Sequence, residues 1–149
     1  MQPLVTIVTT YYNRAGFLKE TLRSLQLQTM TDWEAILWND GSTDNSEEIA
    51  REIAGTDSRF RFFGGERIGH TQSLVRSCAE AQGRYIGVLD SDDLLEPTAL
   101  EEAAAVLESR PEIGMVYTDH VVIDGNGQRR GLGRRCQIQI GRASCRERV

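Results

Sequence analysis

Short apolar, β-branched runs alternate with amphipathic helical periods over most of this chain, and few architectures accept that order. The run Leu4-Val5-Thr6-Ile7-Val8-Thr9-Thr10 is nearly continuous in apolar and β-branched character, as a parallel strand covered on both faces must be. Leu18, Leu22 and Leu25 then fall at i, i+4 and i+7, one stripe of a core-facing helix. Residues 33–38 read as a second strand, 60–63 as a short third, and Tyr85-Ile86-Gly87-Val88-Leu89 as the central one. Between them, Ile49 and Ile53 are expected to bury one helix, and Leu74, Cys78 and Ala81 mark another. Gly83 reads as the C′ stop of that second helix. Pro97 opens a further helix carrying Leu100, Ala104 and Leu107, which Pro111 ends. Residues 113–118 and 121–123 read as two more strands before a turn at 124–127. The pattern predicts an α/β fold: a mostly parallel sheet, helices on both faces, right-handed crossovers.

Sheets of this kind take ligands in the crevice beyond the carboxyl ends of their strands. Thr10 and Tyr11 follow the first strand, Asp40 the second, and Asp90-Ser91-Asp92-Asp93 the central one. Buried without partners, those carboxylates would cost several kcal/mol each or be forced to protonate. A hard divalent cation, Mg²⁺ or Mn²⁺, removes that cost through oxygen ligands. A solvated turn leading into a helix cap is the bland alternative. Asn13 is a candidate cap for the first helix, Ser42 or Thr43 for the second, with Glu47 and Glu48 in its first turn. His70 and His120 stand apart in the sequence without metal-site spacing and read as structural or exposed.

The 149 residues suit about one domain. Seventeen basic against 22 acidic side chains give a formal net charge of −5 with no basic patch, which argues against nucleic acid as a partner. The first residues lack the basic region of a signal peptide, and no stretch approaches the roughly 20 apolar residues of a membrane span. Cys78, Cys136 and Cys145 are odd in number and widely spaced, which suits a reducing, cytoplasmic compartment. From Gln137 the periodicity stops. The closing IGRASCRERV resembles the in-frame translation of a sequencing-adapter oligonucleotide, so residues 137–149 are expected to be a non-native or disordered tail, with 1–136 an incomplete domain whose natural chain continues.

The motifs together carry a resemblance. Val8-Thr9-Thr10-Tyr11-Tyr12-Asn13-Arg14, Gln28-Thr29, Asn39-Asp40-Gly41-Ser42-Thr43-Asp44, and Gly83-Arg84-Tyr85-Ile86 running into Leu89-Asp90-Ser91-Asp92-Asp93 occur in that order. Over about residues 3–125 the chain resembles the nucleotide-binding part of a family 2 glycosyltransferase with a GT-A fold. The resemblance implies a metal-dependent, inverting transfer of sugar from a nucleotide-diphospho-sugar, with a UDP-sugar as the expected donor. It implies that Tyr11 flanks the uracil, where base stacking on an aromatic ring is worth roughly 1–3 kcal/mol, although a partly buried loop tyrosine is the alternative. It implies that Asp40 accepts from the uracil imide, with helix capping as the alternative. Asp92 is the expected direct metal ligand, Asp90 serves ribose or metal, and Asp93 supports. Thr10, Asn13, Ser42 and Ser91 complete the implied nucleotide-sugar contacts.

Two departures stand out. Asn39 replaces an Asp that relatives often carry, and Leu74-Val75 replaces an Arg-Asn or Leu-Asn pair, so Arg76 or Arg67 would have to serve the nucleotide. The general base that takes the acceptor proton is expected beyond residue 149, leaving a chain that binds donor without turnover. The rival readings are a nucleotidyltransferase and a non-catalytic nucleotide-sugar-binding module. The first would show a Gly-rich basic loop after strand one, which Thr9-Thr10-Tyr11-Tyr12-Asn13-Arg14 lacks. A catalytic carboxylate in the remaining part of the protein would exclude the second. Polysaccharide, lipid-linked and protein acceptors stay open, as does attachment to the inner face of a membrane through other segments; polysaccharide or cell-wall assembly is the process implied.

Overall fold

The apolar runs form the middle of a parallel sheet. In the computed structural model, which describes residues 2–124 and 128–133, β1 (Val5–Tyr11) and β2 (Trp33–Asn39) lie side by side, with β3 (Phe60–Gly64) and β4 (Tyr85–Val88) outside them. The strand order is β3-β2-β1-β4, all parallel. Every residue of β2 and six of the seven in β1 are buried, as strands covered on both faces require. Helix α1 (Leu18–Gln26) buries Leu18, Leu22 and Leu25 completely, each contributing about 2 kcal/mol relative to exposure. Helices α2 (Ser46–Ala54) and α3 (His70–Ala79) join β2 to β3 and β3 to β4.

Several local expectations are corrected. The first residue past β1, Tyr12, is followed by Asn13 in a left-handed conformation, and the cap position of α1 is Phe17. Asn13 instead accepts from the backbone N–H groups of Thr43 and Asp44. Ser42 accepts from Asn13 N–H rather than capping α2, whose entry is held by Asp44 accepting from Ser46 N–H. Ile49 and Ile53 are half-buried; Ala50 and Ala54 face the core more completely. In α3 the fully buried side chains are Ser73 and Ser77, with Leu74 and Cys78 half-buried beside them. Gly83 lies past the end of α3, and a Cβ there would meet Thr6 N at 2.5 Å, so close approach to β1 is what demands glycine.

The strand read as central, β4, is the edge of the sheet among the described residues, with Ile86 50% and Val88 58% exposed. Residues 113–118, read as a strand, are irregular in the structure. From Glu102 onward the chain forms a separate unit: the rest of helix α4 (Ala99–Ser109), then β5 (His120–Ile123) and β6 (Arg129–Gly133) as an antiparallel pair. The 137–149 tail, Cys136 and Cys145 lie outside the described residues. No helix among the described residues is long and apolar enough to cross a membrane.

At the amino ends of the strands, Glu34 is buried and fully engaged. Its Oε1 accepts from Thr6 Oγ1 and Gln82 N–H, both at 2.7 Å, and its Oε2 from Arg61 at 3.2 Å. Gly83 N–H donates to the same Thr6 hydroxyl at 2.8 Å, which fixes where β4 enters against β1.

Candidate functional site

At the carboxyl ends of the same strands lies a cavity of about 360 Å³. It is lined by Thr10, Tyr11, Tyr12, Arg14, Asp40, Arg67, His70, Asp90, Ser91 and Asp92. Strand register brings them together. Tyr11 is level with Asn39, and Asp40 N–H donates to Tyr11 carbonyl at 2.9 Å. On the other side Val8 is level with Val88 and accepts from Leu89 N–H at 3.0 Å, so the chain leaves β4 for Asp90 beside the end of β1.

Asp40 is 4% exposed and forked. Its Oδ1 accepts from Ile68 N–H (2.7 Å), Gly69 N–H (2.9 Å) and Ser73 Oγ (2.9 Å), so it holds the turn entering α3. Among the described residues its Oδ2 has no partner, and the side chain lines the cavity. Burial alone would raise its pKa. The hydrogen bonds from Ile68, Ser73 and Gly69, with the Arg67 charge, outweigh burial and hold the carboxyl below its ordinary value. Gly41 permits this turn: its φ is +72°, and a Cβ there would meet Arg67 N at 2.7 Å.

Asp90 and Asp92 are exposed at the cavity, on a turn closed by Asp93 N–H donating to Asp90 carbonyl at 3.1 Å. Helix α1 suspends this acidic segment by its polar face. Thr21 donates to Ser91 carbonyl (3.1 Å), Ser24 accepts from Leu95 N–H (3.1 Å), and buried Gln28 donates to Glu96 carbonyl (2.9 Å) while accepting from Leu100 N–H (3.1 Å). Thr29 adds Pro97 carbonyl and Glu101. The Gln28-Thr29 motif therefore acts through the segment that carries Asp90 and Asp92. Among the described residues no group of three His, Cys, Asp or Glu side chains assembles as a cation cage. Two exposed carboxylates nevertheless fit Mg²⁺ or Mn²⁺, which keep waters and bind substrate phosphates alongside one or two acids.

Three residues behave differently from expectation. The Tyr11 ring is 2% exposed and its hydroxyl donates to Glu47; burial first, then that hydrogen bond, push its pKa far up. A ring so enclosed has no free face for a base, because Tyr11 continues β1 one residue past the strand that was read. Tyr12 is the half-exposed ring at the cavity, with the Arg67 guanidinium 3.4 Å from its centroid. Asn13 and Ser42 do not line the cavity; they tie the loop after β1 to the loop after β2. Asn39, the departure from Asp, donates to Glu47 at 3.1 Å, which a carboxylate could not do.

The cavity also holds Arg14, quoted in the first motif without a role, and His70, which the sequence marks as structural or exposed. Arg14 Nε stands 3.6 Å from Asp92 Oδ2. His70, the first residue of α3, makes a 3.0 Å hydrogen bond through Nδ1 with Thr10 Oγ1. Each lies just past a strand or at the start of the next helix, so the carboxyl-edge rule applied to every polar residue there would have found them.

Known proteins resemble this chain in sequence and in fold. The sequence pattern described as Glycosyl transferase family 2 matches residues 6–144. The chain is 34% identical over 131 residues to the O-antigen biosynthesis protein RfbC of Myxococcus xanthus, covering 86% of this chain and 10% of that protein. It is 34% identical over 125 residues to chondroitin synthase of Pasteurella multocida, covering 84% and 13%. It therefore spans only a small part of these relatives' length. Among solved structures, S. aureus TarS 1-349 in complex with UDP-GlcNAc superposes with a TM-score of 0.68 at 22% identity, covering 72% of this chain and 32% of that one. Mannosyltransferase PcManGT from Pyrobaculum calidifontis, in complex with GDP-Man and Mn²⁺, gives 0.65 at 26% identity, covering 76% and 34%. The parallel sheet is the GT-A fold, its carboxyl edge carries the cavity, and the chain belongs to glycosyltransferase family 2.

Proposed function

We propose that the cavity is the donor site of a glycosyltransferase that moves sugar, with inversion, from a nucleotide-diphospho-sugar, a UDP-sugar first among them, to an acceptor hydroxyl. The observation that carries this reading is the forked Asp40: one oxygen is held inward by three donors, and the other is left for a ligand in the cavity that Asp90 and Asp92 also line. An ionised acceptor suits the ring N–H that uracil and guanine carry and adenine lacks. Asp90 suits the ribose hydroxyls or a cation, Asp92 holds the cation directly, and Tyr12 with Arg67 takes over the aromatic wall first assigned to Tyr11. Thr10, Ser91 and the backbone of Tyr11 shape the floor. A bound Mn²⁺ or Mg²⁺ supplies charge neutralisation on the departing nucleoside diphosphate. The residues of this chain bind and orient the donor; the acceptor, its general base and any membrane attachment belong to the rest of a longer protein, acting in the cytoplasm. On this reading residues 1–149 bind donor and do not transfer it.

Thermal unfolding with UDP, GDP and ADP, each with and without Mn²⁺, tests the reading. A nucleotide at 100 times its dissociation constant adds about 2.7 kcal/mol. UDP with Mn²⁺ is expected to raise Tm, ADP to leave it unchanged, and Asp92→Asn to abolish the Mn²⁺-dependent part. A folded protein that responds to no nucleotide would sink the proposal.

A further inference from the structure

Asp40 and the Asp90–Asp92 turn line one cavity on opposite sides of β1, and Thr10 lies between them. Tyr11, next to Thr10, accepts from Asp40 N–H, Val8 accepts from Leu89 N–H on the other side, one residue before Asp90, and Thr10, Asp40 and Asp90 all line the cavity. A nucleotide whose base reaches Asp40 and whose diphosphate reaches a cation at Asp92 must cross Thr10 with its ribose and α-phosphate. Thr10 is engaged by the Nδ1 of His70, which also lines the cavity. The remaining ring nitrogen, Nε2, has no partner among the described residues. Ribose hydroxyls can donate and so match the carboxylate of Asp90. Phosphate oxygens only accept, and an imidazole N–H matches them. When the Thr10 hydroxyl donates to Nδ1, the ring is oriented and its proton sits on Nε2, the nitrogen left to donate to a ligand.

We propose that His70, oriented by Thr10, holds the α-phosphate of the donor nucleotide. The inference rests on the cavity being the donor site, and it adds a specific contact to that reading: His70 binds ligand and Thr10 is a positioning residue.

Isothermal titration of the full 149-residue chain with UDP, UMP and uridine in Mn²⁺ buffer, weak ligands being measured by competition, separates the two claims. His70→Ala is expected to weaken UDP and UMP alike by about tenfold and to leave uridine unchanged, since only the first two carry an α-phosphate. His70→Gln, which keeps an N–H donor, should recover most of that loss, and Thr10→Val should lose about threefold by releasing the ring. Equal weakening of uridine would assign His70 to base or ribose and overturn the proposal. So would weakening of UDP alone, or unchanged affinities in a variant with wild-type Tm. Wild-type protein that binds none of the three would instead bring down the donor-site reading, and this inference with it.

Discussion

The two ends of the sheet treat acidic side chains in opposite ways. At the amino ends, Glu34 in β2 is buried and gives both oxygens to the protein: Thr6, Gln82 and Arg61 consume them. At the carboxyl ends, Asp90 and Asp92 are exposed, and among the described residues Asp92 has only a 3.6 Å contact with Arg14. Asp40 stands between these extremes, with one oxygen committed and the other without a partner among the described residues. Burial alone does not mark an acid as functional; what marks it is how much acceptor capacity the fold leaves unspent. Glu34 sets strand register and has none left. The carboxylates at the other end have it because the strands stop there, and chain continuity no longer supplies N–H partners.

This contrast can be broken most forcefully at Glu34. Glu34→Ala would leave the Thr6 hydroxyl and the Gln82 N–H without their acceptor and take one partner from the half-buried Arg61, which keeps Glu80, and should cost about 2–5 kcal/mol in urea unfolding, about 1–3 for each unsatisfied group. Whatever remains folded should bind nucleotide normally. Asp92→Asn should do the reverse: about a hundredfold loss of Mn²⁺-dependent nucleotide affinity, roughly 2.7 kcal/mol, with stability moved by less than about 0.5 kcal/mol because the site is exposed. Comparable losses of stability in both variants would show that the two ends do not differ.

Asp40→Ala should fall between them, losing about 1–3 kcal/mol of stability through three unsatisfied donors and nucleotide affinity as well. Its depressed pKa also fixes a sign. Stability from Asp40 is complete above the unfolded carboxyl value near 4 and is lost as pH falls through the lower folded value. Acid unfolding of the Ala variant should therefore be shallower below about pH 4. The smallest effect belongs to Tyr11→Phe, about 1 kcal/mol at neutral pH. Tyr11 has a raised pKa, so wild-type stability should decline as pH rises above about 10, and the Phe variant should lack that decline.

The sheet and α1 were legible because their signals are local: a β-branched run, and three leucines at helical spacing. Asp40, Asp90 and Asp92 were legible because parallel strands end at a common edge. What escaped prediction depends on partners far along the chain. Asn13 looks like a cap until residues 43 and 44, thirty positions on, supply its donors. Tyr11 looks like a loop residue until Glu47 draws its hydroxyl inward. The strand β4 has the composition of an interior strand yet is an edge among the described residues, since an apolar run records what a strand can pair with and not whether it is paired.

The fork at Asp40 has a consequence for any base that the proposed donor site would read. An Asn placed there cannot turn freely, because three donors face its inner atom and would repel an amide N–H₂. Its carbonyl must point inward, which leaves the amide facing the cavity. The substitution thus replaces an outward acceptor with an outward donor at one fixed point. On the donor-site proposal, a pocket that offers an acceptor to uracil N3–H would then offer a donor to the bare N3 of cytosine, so Asp40→Asn is expected to shift preference from uridine toward cytidine nucleotides through an inward oxygen that faces the protein and not the ligand.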